Sequence, residues 1–231
     1  MVERIERLRT FVAEFTRLVE ASPAEPRVLD EGGGLLADLV ANDDWLPDEY
    51  AVPDRERYQQ FLLHCDPLER FSVVSFVWGP GQSTPIHDHR TWGLIGMLRG
   101  AELSHDWDLA AGRKTRTTRL EPGTVAAVSP AIGDVHKVEN AYGDRASISI
   151  HVYGANIGAV ARHVYRETGE PVPFVSGYSN AAVPNLWDRS ASVRAARTTS
   201  WRTRWKRAPR SSRRSSRSTT VSPSGSLSTS T

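Results

Sequence analysis

The stretch FSVVSFVWGPGQSTPIHDHRTWGLIGMLRG, residues 71–100, decides the reading of this chain. Two short runs rich in Val, Ile, Leu, Phe and Trp flank a turn region punctuated by Gly79-Pro80-Gly81, and His87-Asp88-His89 lies between them. Apolar runs of this length, bounded by Gly and Pro, read as strands. The same grammar continues through AELSHDWDL (101–109), KTRTTRL (114–120), TVAAVS (124–129), HKVEN (136–140) and ASISIHVYG (146–154). Turn signals separate them at Leu98-Arg99-Gly100, Ala111-Gly112, Glu121-Pro122-Gly123 and Ile132-Gly133-Asp134. Closely spaced strands with such turns predict an all-β sandwich or barrel. No long helical pattern alternates with them, which excludes a doubly wound sheet.

Working outward, residues 3–20 carry Ile5, Leu8, Phe11, Val12, Phe15, Leu18 and Val19 at steps of three and four, an amphipathic helix. Pro23 and Pro26 break it, and Leu35 to Val40 reads as a second, short helix. Trp45 and Pro47 open a loop, and Tyr58 to Leu63 fits either helix or strand. Downstream of Asp188 the composition shifts abruptly. Residues 190–231 hold 13 Ser, seven Thr, nine Arg and one Lys, with no acidic residue. A segment so poor in apolar area cannot offset its chain entropy by burial, so disorder is expected. The expected organisation is a helical region at 1–57 packing on a barrel at 58–189, followed by a basic Ser/Arg-rich tail at 190–231.

The formal net charge of +2 hides a segregation: the chain carries −8 up to residue 189 and +10 beyond it. The single cysteine, Cys65, excludes an internal disulfide framework and any Cys-rich zinc site. Its apolar neighbours suggest a buried structural thiol. No uncharged apolar stretch is long enough to cross a bilayer, and charges interrupt the N-terminal segment MVERIERLRTFVAEF, so a cytoplasmic protein is expected.

His87 and His89 stand at i and i+2, which places both imidazoles on one side of a strand. His136, just after the turn at Gly133-Asp134, is the best third partner. Imidazole suits iron, zinc, copper and nickel alike. Three neutral ligands would leave a divalent ion its full charge, favouring an anionic ligand such as a thiolate. The plain alternative is a His-x-His on an ordinary strand with no metal. Ser149, His151 and Tyr153 likewise share one strand face, with Ile150 and Val152 between them. Facing a barrel interior, they must bond to one another or to something bound there. The order suggests a relay in which Ser149 orients His151 and His151 bonds Tyr153. The alternative is a solvent-facing edge.

These residues resemble the cupin superfamily. In GQSTPIHDHRTWGLIGMLRG, Gly81, His87, His89 and Gly100 match its first metal-binding motif, while Gly93 stands where that motif has Glu. In GTVAAVSPAIGDVHKVEN, Gly133, His136 and Asn140 match the second, with Pro130 displaced by one residue. Three His without the Glu, plus the Ser149–His151–Tyr153 cluster, resemble the cysteine dioxygenase family of thiol dioxygenases over about Tyr58 to Asp188. The resemblance implies a cupin-type double-stranded β-helix that holds Fe(2+) on His87, His89 and His136. It implies addition of dioxygen to a small thiol, giving a sulfinic acid. Mammalian-type members carry a cysteine near Gly93, cross-linked to the triad tyrosine, so no thioether is expected at Tyr153. Their carboxylate-binding arginine is also missing, since Gln59 and Gln60 follow Tyr58. In bacterial 3-mercaptopropionate dioxygenases that arginine follows the triad tyrosine by nine residues, and here Arg162 stands nine after Tyr153. The resemblance therefore favours 3-mercaptopropionate over cysteine, with Arg162 as anchor and Gln60 as a helper. Cysteine dioxygenase proper, a cupin of different metal and reaction, and a non-catalytic binding or regulatory cupin are the rival readings. The Arg-rich tail with Trp201 and Trp205 supports only weak contact with polyanions such as nucleic acid.

Overall fold

The structure is a computed structural model that describes residues 5–166 and 168–189. The expectation of a disordered 190–231 falls outside the described residues. Residues Met1–Arg189 form one compact unit.

Helix α1 (Glu6–Glu20) buries Leu8, Phe11, Val12, Phe15, Leu18 and Val19, the stripe visible in the sequence. Helix α2 (Glu25–Val40) is much longer than expected. Pro26 sits in its first turn, where a missing N–H costs nothing and a fixed φ helps. It therefore starts this helix as well as ending the preceding segment. The run Gly32-Gly33-Gly34 hid the helix, since each Gly disfavours helix by about 1 kcal/mol. Packing overrides that preference: a Cβ at Gly32 would lie 2.8 Å from the Phe15 ring and 3.2 Å from Leu94.

Eleven strands follow among the described residues: β1 (Gln59–Cys65), β2 (Ser72–Trp78), β3 (Ile86–His87), β4 (Gly93–Arg99), β5 (Glu102–Asp108), β6 (Arg113–Leu120), β7 (Val125–Val128), β8 (His136–Asn140), β9 (Ser147–Tyr153), β10 (Arg162–Tyr165) and β11 (Pro171–Phe174). One sheet has the order β1-β2-β9-β4-β7, the other β11-β10-β3-β8-β5-β6. All of these pairings are antiparallel. The segment left open between helix and strand is β1. The strand expected at His87–His89 is only the two-residue β3, the short β10 and β11 were not foreseen, and β11 tolerates two prolines because it lies at a sheet edge.

The first sheet is buried on both faces, which explains its almost unbroken apolar strands. Val73, Val77, Leu94, Leu98, Ile148, Ile150 and Val152 join the helices in one core. The alternate residues of the same strands face the second sheet: Phe76, Trp78 and Tyr153 pack with Val138, and Ile95 and Met97 with Leu120. Ser149 and His151 share that inner face by the period-two rule. The second sheet turns its far side outward, and β6 is exposed along most of its length. This is a mainly β, cupin-type double-stranded β-helix with two helices laid on one sheet.

Candidate metal centre

Strand register places the first and third histidines opposite each other, His87 on β3 and His136 on β8. β3 ends at His87, so His89 is not held by a continuing strand. Two aspartates hold it instead. Asp88 turns outward, accepting the His163 backbone N–H at 2.7 Å and the Tyr165 hydroxyl at 3.0 Å. Asp134 accepts the His89 backbone N–H at 3.1 Å and meets its Nδ1 at 2.9 Å. The three rings stand 4.8 Å apart, centroid to centroid, and one ligand atom from each lies within 4.8 Å of the others.

Every Nδ1 is already engaged from outside: His87 by the Pro85 carbonyl at 3.0 Å, His89 by Asp134, and His136 by Ser104 Oγ at 3.1 Å. Such outer bonds fix the tautomer and aim the other nitrogen inward. His89 Nε2 is buried with no hydrogen-bond partner. An orphaned imidazole nitrogen aimed at two others is the arrangement a metal ion satisfies, so the residues fit one. Burial, reinforced by the neighbouring His89, holds His87 down to about 3. Burial and the other imidazoles hold His136 well below the ordinary value. Both are therefore neutral, the form that binds metal. Burial alone would raise Asp134, but the bonds from His89 and Arg90 keep it low and ionised.

A cavity of about 130 Å³ opens beside this centre, lined by His87, His136, His151, Tyr153, Arg162, Gln60, Tyr58 and Phe174 among others. It is far smaller than the roughly 300–1000 Å³ of clefts that take drug-sized ligands. His89 lies behind the cavity wall, stacked on the Tyr153 ring at 5.5 Å. The relay read from β9 is present: Ser149 Oγ lies 2.8 Å from His151 Nε2, and His151 Nδ1 lies 2.7 Å from the Tyr153 hydroxyl. Burial pushes the Tyr153 phenol well above its usual range, and burial pushes His151 well below its own. Tyr153 keeps its proton and His151 stays neutral.

Arg162 is 4% exposed and has no carboxylate within ion-pair distance among the described residues. Its Nη2 donates to Ser176 Oγ at 2.9 Å, its guanidinium lies 4.9 Å above the Phe174 ring, and its Nε has no partner. Gln60 lines the same cavity, but its Nε2 already donates to Ser176 Oγ at 3.0 Å and the Gly177 carbonyl at 2.7 Å. Gln60 thus shares Ser176 with Arg162 and has no amide proton left for a ligand. Gly93 lies against Tyr153, where any Cβ would be 2.9 Å from the ring. Cys65, half-buried, stands in the same cross-sheet row, paired to Ser72, which pairs to Tyr153. Two strand spacings, about 9–10 Å, separate its backbone from that of Tyr153.

Sequence reasoning missed Asp88, Asp134 and Ser104 as holders of the imidazoles, and Ser176 and Phe174 as supports of Arg162. Only Asp88 and Asp134 left a trace, as acids within two residues of a ligand.

A family model for cysteine dioxygenase type I matches residues 35–166 of this chain. The chain belongs to the cysteine dioxygenase type I family. The match begins inside α2, so the family unit includes part of the helical layer as well as the barrel. Cysteine dioxygenase type 1 of Danio rerio is 29% identical over 133 residues, covering 54% of this chain and 64% of that protein. The Rattus norvegicus protein of the same description is 28% identical over 110 residues, covering 45% and 54%. The chain thus spans between about half and two thirds of the length of these cysteine dioxygenases. Among solved structures, a conserved protein with a double-stranded β-helix domain from Klebsiella pneumoniae matches with a TM-score of 0.40 at 24% identity, covering 48% of this chain and 89% of that one. A cupin superfamily protein from Desulfitobacterium hafniense matches with a TM-score of 0.36 at 15% identity, covering 52% and 88%.

Proposed function

We propose that this chain is an iron(II)-dependent thiol dioxygenase that converts a small carboxylated thiol and O2 to the sulfinic acid, with 3-mercaptopropionate preferred to cysteine. The carrying observation is one small cavity with His87 and His136 of the three-histidine cluster on one side and a buried arginine lacking a carboxylate partner on the other. Iron(II) held by His87, His89 and His136 would supply the redox chemistry that joins both oxygen atoms to sulfur. The overall balance is one thiol and one O2 giving one sulfinic acid.

The remaining steps belong to the protein. Arg162 is planar, permanently charged and unpaired, and so suits a carboxylate bound by two parallel hydrogen bonds. Phe174 and Ser176 hold its guanidinium, and Gln60 holds Ser176. With both ends of a short molecule fixed, the sulfur is confined beside the histidines, which removes much of the entropic cost of reaction. Tyr153 presents its hydroxyl to the same space, oriented by His151 and Ser149.

The preference for 3-mercaptopropionate rests on charge. Cysteine carries an additional ammonium group, and no acidic side chain lines the cavity among the described residues. An ammonium there would lose water without gaining a counter-ion, next to a fixed guanidinium. A cytoplasmic setting and a single-cysteine chain fit a reaction that consumes free thiols.

Anaerobic iron loading followed by oxygen uptake with 3-mercaptopropionate, cysteine and cysteamine tests this reading. Uptake is expected in that order of kcat/KM, one O2 per thiol, and is lost with iron in His87→Ala, His89→Ala or His136→Ala. Arg162→Ala should raise KM for 3-mercaptopropionate about 10–100-fold, the worth of a charged hydrogen-bonded pair, and leave cysteamine unaffected. Iron-loaded protein inert toward all three thiols would reject the activity, and cysteine outcompeting 3-mercaptopropionate would reject the preference.

A further inference from the structure

The relay on β9 does not end at Ser149. Across the barrel, Glu102, the first residue of β5, is fully buried, with both carboxyl oxygens lacking a partner at bonding geometry. Its polar neighbours are Ser149, Trp78 and Ser147. Trp78 Nε1 and Ser147 Oγ are themselves buried and unpartnered. β5 points Ser104 at His136, and Glu102, two residues earlier, shares that inward face. The carboxyl therefore stands at the far end of the row Ser149, His151, Tyr153.

Resting on the dioxygenase reading for its consequence but not for its geometry, we propose that Glu102 is a positioning residue that sets the direction of the hydrogen-bond chain and so decides whether Tyr153 donates a proton into the cavity or accepts one.

The argument is one of donors and acceptors. The Trp78 indole N–H can only donate, so it claims the carbonyl oxygen of a neutral Glu102. With the Ser147 hydroxyl donating to the second lone pair of that carbonyl, the acid's O–H is left for Ser149. Ser149, having accepted, donates its own proton to His151 Nε2. His151 carries its proton on Nδ1 and donates it to the Tyr153 oxygen. The phenol O–H has no partner left except in the cavity. Ionising Glu102 reverses every link. Ser149 donates to the carboxylate, His151 Nε2–H donates to Ser149, and Tyr153 donates to His151 Nδ1, turning an oxygen lone pair to the cavity. No bond other than these O–H and N–H bonds changes, and the proton released goes to solvent.

The groups facing Glu102 favour the neutral form. Ser147 and Ser149 come from β9 and Trp78 from β2, while Leu120 of β6 and Asn140 of β8 flank it in register. None of these carries a charge. Burial raises the carboxyl to about 8, against only weak opposition from Ser149, Trp78 and Ser147. The folded protein thus holds a proton that the unfolded chain has released above about pH 4.5. By linkage, this site makes stability fall as pH rises from there to about 8.

The test reads His151 directly. In the full-length chain, loaded with zinc as a diamagnetic substitute, nitrogen NMR reports which ring nitrogen of His151 holds the proton. The parent should show Nδ1–H at neutral pH and change to Nε2–H as pH passes about 8. Glu102→Gln is the conservative variant: its carbonyl meets Trp78, its NH2 meets Ser149, and it cannot ionise. It should hold Nδ1–H throughout, and its thermal stability should lack the decline with pH seen in the parent. In the iron-loaded enzyme, kcat/KM should fall along an alkaline limb near pH 8 that Glu102→Gln removes. A His151 tautomer that ignores both pH and the Gln substitution would overturn the proposal. If iron-loaded protein takes up no oxygen with any thiol, the reaction fails, while the tautomer measurement still decides the role of Glu102.

Discussion

Ser104 shows how much of this site depends on residues that touch no ligand. Its hydroxyl meets His136 Nδ1 at 3.1 Å from a neighbouring strand and so holds the ring angle, and with Nε2 on a metal the Nδ1–H would donate to it. Ser104→Ala would leave a buried ring N–H unpaired. Iron affinity should then fall about 10–100-fold, the usual effect of removing an outer partner of a metal-binding histidine. Competition with a calibrated chelator measures it, and an unchanged dissociation constant would mean that packing alone orients the ring. The imidazoles themselves were readable in the sequence because their spacing is local: His87 and His89 at i and i+2, and Ser149, His151 and Tyr153 on alternate positions of one strand. Their supports were not. Asp134 reaches His89 across 45 residues and Ser104 reaches His136 across 32, and a lone Ser or Asp carries no signal of a partner so distant in sequence. The i and i+2 argument named a pair that the fold does bring together, but by an incomplete route, because β3 stops at His87 and Asp88 and Asp134 finish the placement.

At the level of elements, period-two strands and the period-3.6 first helix were legible, since each has one dominant face. What escaped was structure whose stability comes from elsewhere. The short β10 and the Pro-containing β11 are held by neighbours, and α2 is helical in spite of three consecutive glycines. These glycines make opposite predictions. At Gly34 a Cβ meets nothing within 4 Å, so Gly34→Ala should stabilise by about 0.5–1 kcal/mol through helix propensity alone. At Gly32 the same methyl would sit 2.8 Å from the fully buried Phe15 ring. Overpacking there should outweigh propensity, for a net loss of about 1–2 kcal/mol. Urea denaturation of the two variants decides it. Equal stabilisation by both would show that α2 does not press on α1 and β4 as described.

For the molecule as a whole, the decisive property is where charge and chemistry lie along the chain. The three clustered histidines, the relay, Glu102 and Arg162 all fall between residues 87 and 162, and the cavity lining extends only from Tyr58 to Phe174. Up to residue 189 the chain is net negative by 8 charges, and beyond it net positive by 10. A field of that kind affects association with polyanions through phosphate neutralisation and counter-ion release. The cavity lining, by contrast, lies wholly between residues 58 and 174. Ending the chain after Arg189 should therefore separate two behaviours. Iron content and KM for 3-mercaptopropionate should stay within about two-fold of the full chain, a range set by the weakness of screened surface charge. Retention on a heparin column should drop sharply, and the salt dependence of elution should vanish with it. A truncated protein that no longer held iron would mean that residues beyond 189 support the barrel, and the division of labour argued from the charge pattern would fail.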